Sequence, residues 1–289
     1  MTATAILEPE AEAPLEIERR RSVPSPEEFR ATYVHGSRPV VIEGGISAWP
    51  AMGAWTPESL AAKVGAREIM VQSSPTGIFG LDPVRGGPRY AEVDTTLGDY
   101  VERLMEAEGD TRYYVQRINI PEKLPELMED IALPDYVDAG LVYLINLWLG
   151  PAGNVTTLHY DTPNNFLAQI SGRKRLKMFA PSDTPRLYPC RSKAYNMSQV
   201  NLEAPDLGRF PRFAGTRPYE TEIGPGDLLF IPTFWWHQVY SLTAGISVNI
   251  WWLPLWRQLL RSRRQVLDNV PDIARELRKR AAHRLKGAA

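Results

Sequence analysis

Between Tyr113 and Trp252 the chain breaks into short β-prone runs bounded by turn residues. They are Tyr113-Tyr114-Val115-Gln116, Leu141 to Leu149, Asn165 to Ile170, Arg175 to Phe179, Asp227 to Ile231, Trp236 to Ser241 and Ile246 to Trp252. Helical signals fall mostly before and after this stretch. Ser25-Pro26-Glu27-Glu28 reads as a capped helix start with proline in the first turn, and Thr56-Pro57-Glu58-Ser59-Leu60 opens a second helix ending near Gly65. Arg38 to Ile42, closed by Gly44-Gly45, and Glu68 to Gln72 are strand-like. Many short strands flanked by helices predict an α+β protein whose core is a β-barrel or double sheet. No internal repeat interrupts the pattern.

The two ends differ from this middle. Residues 1–21 carry Glu8, Glu10, Glu12, Glu16 and Glu18 ahead of Arg19-Arg20-Arg21 without apolar periodicity, which predicts a disordered or loosely docked tail. Residues 22–254 form the expected main domain, and 255–289 a C-terminal helical pair. In the latter Leu255, Leu259, Leu260, Val266, Leu267 and Val270 keep helical spacing, and Pro271-Asp272 restarts a helix. From Arg257 to Lys286 ten Lys/Arg stand against three acids. The apolar stripe of this appendage is expected to dock on its own core or to pair two copies into a homodimer, and the basic face to be solvated.

Composition narrows the function classes. A net charge of −1 argues against nucleic acid as a partner held by overall charge. A lone cysteine, Cys190, excludes an internal disulfide and any cysteine-built zinc site, and is expected to be a neutral thiol. No apolar run approaches the ~20 residues of a membrane helix. The N-terminus lacks the basic start and apolar core of a signal peptide, so a cytoplasmic location is expected. Four histidines leave few ways to build a metal site.

One constellation uses two of them. In Gly153-Asn154-Val155-Thr156-Thr157-Leu158-His159-Tyr160-Asp161, His159 and Asp161 sit two apart, so a strand would project both from one face. His237 follows 78 residues after His159, in Ile231-Pro232-Thr233-Phe234-Trp235-Trp236-His237. Two histidines and a carboxylate make the facial triad of non-haem Fe(II), with three positions open. Lys174 lies thirteen residues after Asp161, behind a Ser171-Gly172 turn. Directed inward it would need an anionic partner; beside Arg173 and Arg175 it could equally face solvent, and alternation does not choose. His35 and His283 lie outside every motif and are expected at the surface.

With these motifs the sequence resembles the JmjC, or cupin-8, family of 2-oxoglutarate and Fe(II)-dependent oxygenases, most of all the branch containing the asparaginyl hydroxylase that inhibits hypoxia-inducible factor and its small bacterial relatives. The resemblance runs from Arg38-Pro39-Val40-Val41 through Trp49-Pro50 to Trp252 and is densest in Gly153 to Lys174 and Gly226 to Trp251. It implies a double-stranded β-helix, or jelly-roll, core. It implies that His159, Asp161 and His237 hold iron and that Lys174, with Thr156 and Tyr114, binds the distal carboxylate of 2-oxoglutarate. It places Asn165 and Asn249 near the iron-bound end of that co-substrate, and Gln116 and Trp251 near the substrate. The implied reaction uses O2, hydroxylates an unactivated C–H bond and releases succinate and CO2. Phe234, Trp235, Trp236, Trp251 and Trp252 could supply a dry wall around the site, with core packing expected for at least half of these rings.

The chain departs from the hydroxylase in being shorter, in Thr162-Pro163 after the motif, and in the insert 181–225, expected as a substrate-facing lid. The substrate expected is a protein or peptide side chain. A small molecule, a cupin metalloenzyme independent of 2-oxoglutarate, and a non-catalytic scaffold are the competing readings.

Overall fold

A computed structural model describes residues 13–82, 87–106, 112–190, 194–261, 265 and 267. The expected tail is already structured at its C-terminal end. Strands β1 (Leu15–Glu16) and β2 (Glu18–Arg20) flank Ile17, which is buried in the core. The charges that suggested a solvated tail are paired: Arg19 contacts Glu43 at 2.8 Å and Asp227 at 3.0 Å, and Arg20 contacts Glu28 at 2.8 Å. The main domain therefore includes residues assigned to the tail; those before 13 lie outside the described residues.

The N-terminal helices form where the sequence places them. Ser25 accepts the Glu28 N–H ahead of α1 (Pro26–Phe29). After β3 (Val40–Ile42) and α2 (Ala51–Ala54), the Thr56 and Ser59 side chains cap reciprocally the start of α3 (Pro57–Val64). Next come β4 (Glu68–Ser73), β5 (Ile78–Phe79), β6 (Ala91–Thr96), α4 (Leu97–Glu106), β7 (Tyr113–Asn119) and α5 (Ile120–Lys123). The strands that follow are β8 (Val142–Gly150), β9 (Val155–Tyr160), β10 (Asn164–Ser171), β11 (Lys174–Phe179), β12 (Tyr219–Ile223), β13 (Leu228–Ile231), β14 (Trp236–Ser241) and β15 (Gly245–Trp252), before α6 (Trp256–Arg261).

These strands make two sheets, ordered β1-β12-β11-β14-β9-β5 and β2-β3-β13-β10-β15-β8-β7-β4-β6. Facing each other, they form the jelly-roll core. Alternation along each strand divides the side chains between three regions. Ile17, Val41, Leu167, Leu176, Leu229 and Ile231 pack between the sheets and close one end of the interior. The outer face of the larger sheet, including Phe166, Phe230 and Trp252, is covered by the N-terminal helices, with Phe29 against both phenylalanines. The outer face of the smaller sheet carries Tyr160, Phe179, Phe234 and Trp236.

That division sorts the five aromatic rings, most of them into core packing as expected. Phe234 and Trp236 lie outside the smaller sheet, Trp252 outside the larger one, and Trp235 in the apolar interior. Trp251 alone of the five reaches the cavity described below.

The insert 181–225 borders that cavity at Ala194, Asn196 and Met197 and supplies strand β12. Of the C-terminal pair, α6 is present and anchored: Asn164 and Gln258 exchange amide hydrogen bonds of 2.9 Å in both directions. Gln265 donates to Pro181 O at 3.0 Å. The second helix, its basic face and His283 lie outside the described residues. Among the described residues no helix is long and apolar enough to cross a membrane.

Candidate metal centre

Strands β9 and β14 pair antiparallel with His159 directly opposite His237, their ring centroids 4.2 Å apart. Asp161 sits one residue beyond β9, on the same side as His159. Its carboxylate lies 3.9 Å from His159 Nε2 and 3.7 Å from His237 Nε2. One ligand atom from each residue falls within 4.8 Å of the others.

Backbone contacts fix this arrangement. His159 Nδ1 lies 2.8 Å from Thr157 O and His237 Nδ1 3.0 Å from Trp235 O, each carbonyl two residues upstream. A ring that donates its Nδ1–H in this way presents the Nε2 lone pair to a metal. The Phe234 N–H donates to Asp161 O at 2.9 Å, and Thr233 Oγ1 donates to Thr162 O. The turn before His237 is thus tied to the Asp161 segment, and Phe234 takes a left-handed φ of 63° to make that turn. Burial pushes the His237 imidazole down to about 4, and neighbouring His159 adds to the effect, so the ring is neutral at neutral pH. Two imidazoles and a carboxylate converging by Nε2 and oxygen fit a divalent iron with open positions.

The triad opens into a cavity of about 290 Å3. Every residue expected at the co-substrate borders it: Lys174, Thr156, Tyr114, Asn165 and Asn249, along with Gln116 and Trp251. Register resolves what alternation left open for Lys174. It pairs with Ile223 on one side and Ser241 on the other, which turns its side chain inward, 5 % exposed. Its ammonium donates to Tyr114 Oη at 3.2 Å and stands 5.7 Å from the Trp148 ring. Among the described residues no carboxylate pairs with it. A buried ammonium without a counter-charge is costly, and this one faces a cavity that an anion can enter.

Asn249 Nδ2 donates to Asn165 Oδ1 at 2.6 Å across neighbouring strands, which presents the pair to the cavity as one polar surface. Among the described residues, the cavity-lining donors Gln116 Nε2, Trp148 Nε1 and Trp251 Nε1 have no partner. Trp148 is the residue that the motifs missed. It stands two positions after Asn146 in Asn146-Leu147-Trp148-Leu149, where alternation within β8 signals an inward ring. His35 is half-buried away from the cavity, and burial pushes the Cys190 thiol up, so it is neutral as expected.

Comparison with known proteins agrees with this architecture. Residues 26–257 match the cupin-like domain. Lysine-specific demethylase 8 of Xenopus tropicalis is 36% identical over 239 residues, which cover 79% of this chain and 51% of that protein. Jumonji C domain-containing protein 5 of Drosophila melanogaster is 30% identical over 244 residues, 79% of this chain and 58% of that protein. tRNA wybutosine-synthesizing protein 5 of Danio rerio is 30% identical over 231 residues, 74% of this chain and 68% of that protein. The chain spans about half the length of the first of these relatives. The match takes in β3 through β15 and all three candidate ligands, and at this level the chain belongs to the cupin-like, JmjC-type family of 2-oxoglutarate-dependent oxygenases.

Proposed function

We propose that the chain is an Fe(II)- and 2-oxoglutarate-dependent oxygenase that hydroxylates an unactivated C–H bond on a protein or peptide side chain. The observation that carries this reading is Lys174, a buried cation without a carboxylate partner, in the same cavity as the His159–Asp161–His237 triad. His159, Asp161 and His237 would hold the iron, which with 2-oxoglutarate and O2 supplies the oxidising power for hydroxylation. Lys174 and Tyr114 Oη, already joined, receive one carboxylate of the co-substrate, and Thr156 lies on the same wall. The linked Asn165 and Asn249 amides border the other end, and Gln116 and Trp251 offer unpaired N–H groups to the substrate. The protein's part is to orient both molecules and to exclude bulk water.

Protein substrates accord with the names of the demethylase relatives. Hydroxylation of an N-methyl carbon, followed by loss of formaldehyde, is one outcome of the same step. The homodimer through the C-terminal helices belongs to this reading too, supported by the exposed Trp256 and Leu267.

Anaerobic calorimetry with Mn(II) in place of iron tests the core of the proposal. The metal-loaded protein should bind 2-oxoglutarate, and the metal-free protein should bind it far more weakly. No 2-oxoglutarate binding with metal present would reject the assignment.

A further inference from the structure

Next to the triad the pairing of β9 with β14 is irregular. His159 stands opposite His237 and Thr156 opposite Val239, so Thr157 and Leu158 of β9 both face Gln238 of β14. The peptide group inside this bulge is the one that anchors His159. Its carbonyl, Thr157 O, lies 2.8 Å from His159 Nδ1. Its N–H, that of Leu158, donates to Gln238 Oε1 at 3.1 Å. One planar unit therefore meets the ligand ring on one side and a side-chain amide on the other.

Gln238 follows His237 directly, so its side chain leaves the opposite face of the smaller sheet, where it is 3 % exposed. The amide is itself held. Its Nε2 donates to Tyr240 Oη at 2.7 Å and to Glu203 Oε1 at 3.3 Å, and the Tyr240 hydroxyl donates to the same Glu203 oxygen. A peptide N–H only donates and a carboxylate only accepts, so the amide has one orientation, oxygen toward Leu158 and nitrogen toward Glu203. Tyr240 is buried, with the Arg175 guanidinium 4.8 Å from its ring centroid.

Glu203, Gln238, the Thr157–Leu158 peptide group and His159 thus form one line of hydrogen bonds running in one direction. Each bond polarises the next: the carboxylate strengthens Gln238 Oε1 as an acceptor, and donation by the Leu158 N–H strengthens Thr157 O. A ligand histidine whose Nδ1–H meets a strong acceptor is fixed in tautomer and is a better donor at Nε2. His237 is anchored separately at Trp235 O, so the line bears on one of the two rings. Neither Gln238 nor Glu203 lines the cavity, and Glu203 belongs to the insert 181–225.

We propose that Gln238, oriented by Glu203 and Tyr240, is a positioning residue for the metal centre, which fixes the ring plane and the Nδ1–H tautomer of His159 through the Thr157–Leu158 peptide group. The proposal rests on the oxygenase reading for what His159 Nε2 binds, but not for the setting of the ring.

NMR of the metal-free full chain labelled with 15N-histidine, at about pH 8 where unperturbed imidazoles are neutral, tests this. Both ligand rings of the parent should be Nδ1–H tautomers. Gln238→Met keeps the bulk of the side chain but offers no acceptor to the Leu158 N–H. It should move His159 toward the Nε2–H tautomer and leave His237 unaltered. Calorimetry should then show Mn(II) bound about tenfold more weakly, the scale for losing a group that supports a ligating histidine. The exchange Gln238→Glu with Glu203→Gln keeps an acceptor at the Leu158 N–H and a donor behind it, and should recover most of that affinity. A role in packing alone would leave Gln238→Met at the parent affinity. Glu203→Gln by itself changes only an exposed residue and should give a smaller shift of the same sign. An unaltered His159 signal in Gln238→Met, or in Glu203→Gln if the first variant does not fold, overturns the proposal. So do equal changes at His159 and His237, or no recovery in the exchanged pair. A parent chain that binds no Mn(II) rejects the metal assignment, whereas the metal-free spectra decide the positioning role by themselves.

Discussion

Gly150 lies so close to Tyr114 that a Cβ added to it would stand 2.4 Å from the ring and 3.1 Å from Asn154 Nδ2. Absence of a side chain at 150 lets the Tyr114 ring lie where its hydroxyl meets Lys174. Gly150→Ala should push the ring away and weaken 2-oxoglutarate binding while the metal still binds. Calorimetry of each ligand separately checks it, and unchanged co-substrate affinity would show that Tyr114 has no part in the site.

Lys174→Met should act in opposite directions on function and stability. Loss of a charge-assisted hydrogen bond, about 1.5–3 kcal/mol, raises the apparent KM for 2-oxoglutarate about 10- to 100-fold. Removal of a buried, unpaired charge raises the thermal midpoint of the ligand-free protein. Melting curves and succinate assays read the two effects independently, and a fall in both midpoint and KM contradicts the role given to this lysine.

Asp161→Ala should abolish succinate formation and sharply weaken divalent-metal binding, because it removes the anionic member of the triad. His159 and His237 keep their backbone anchors, so circular dichroism should report an unaltered fold. Retained turnover would remove Asp161 from the ligand set.

Gln258→Leu should destabilise the fold by about 1–3 kcal/mol, since Asn164 Nδ2 then lacks its buried partner. Asn164 Oδ1 also receives the Thr233 N–H at 3.2 Å, in the turn tied to the Asp161 segment. Urea denaturation checks the loss, and a midpoint equal to that of the parent chain would show that α6 is not held by this amide pair.

The central strands were legible because their runs are apolar, alternate and end in turn residues. Gly245–Trp252 alternates in this way, and Leu228–Ile231 is a continuous apolar run behind a Gly-Pro-Gly turn. β1, β2 and β6 were not: they are short, polar edge strands whose pairing comes from distant residues, as Leu15 with Tyr219. Lys174 and Arg175 are adjacent cations, and which of them turns inward depends on the register of β11 with β12 and β14. The triad showed in His159, Asp161 and His237 themselves, because few histidines left few combinations. Which of the five aromatic rings reaches the cavity was not legible, because hydrophobicity reports burial but not which side of a sheet is buried; only Trp251 does. Trp148 was overlooked for the converse reason, a lone inward ring inside an apolar run.

The interior between the sheets is sealed at one end by Ile17, Val41, Leu176, Leu229 and Ile231. The cavity beyond this plug holds Lys174, 5 % exposed, in its lining and Arg117 among its border residues. If co-substrate and polypeptide share this cavity, the deeper position of Lys174 makes the smaller anion the first to bind.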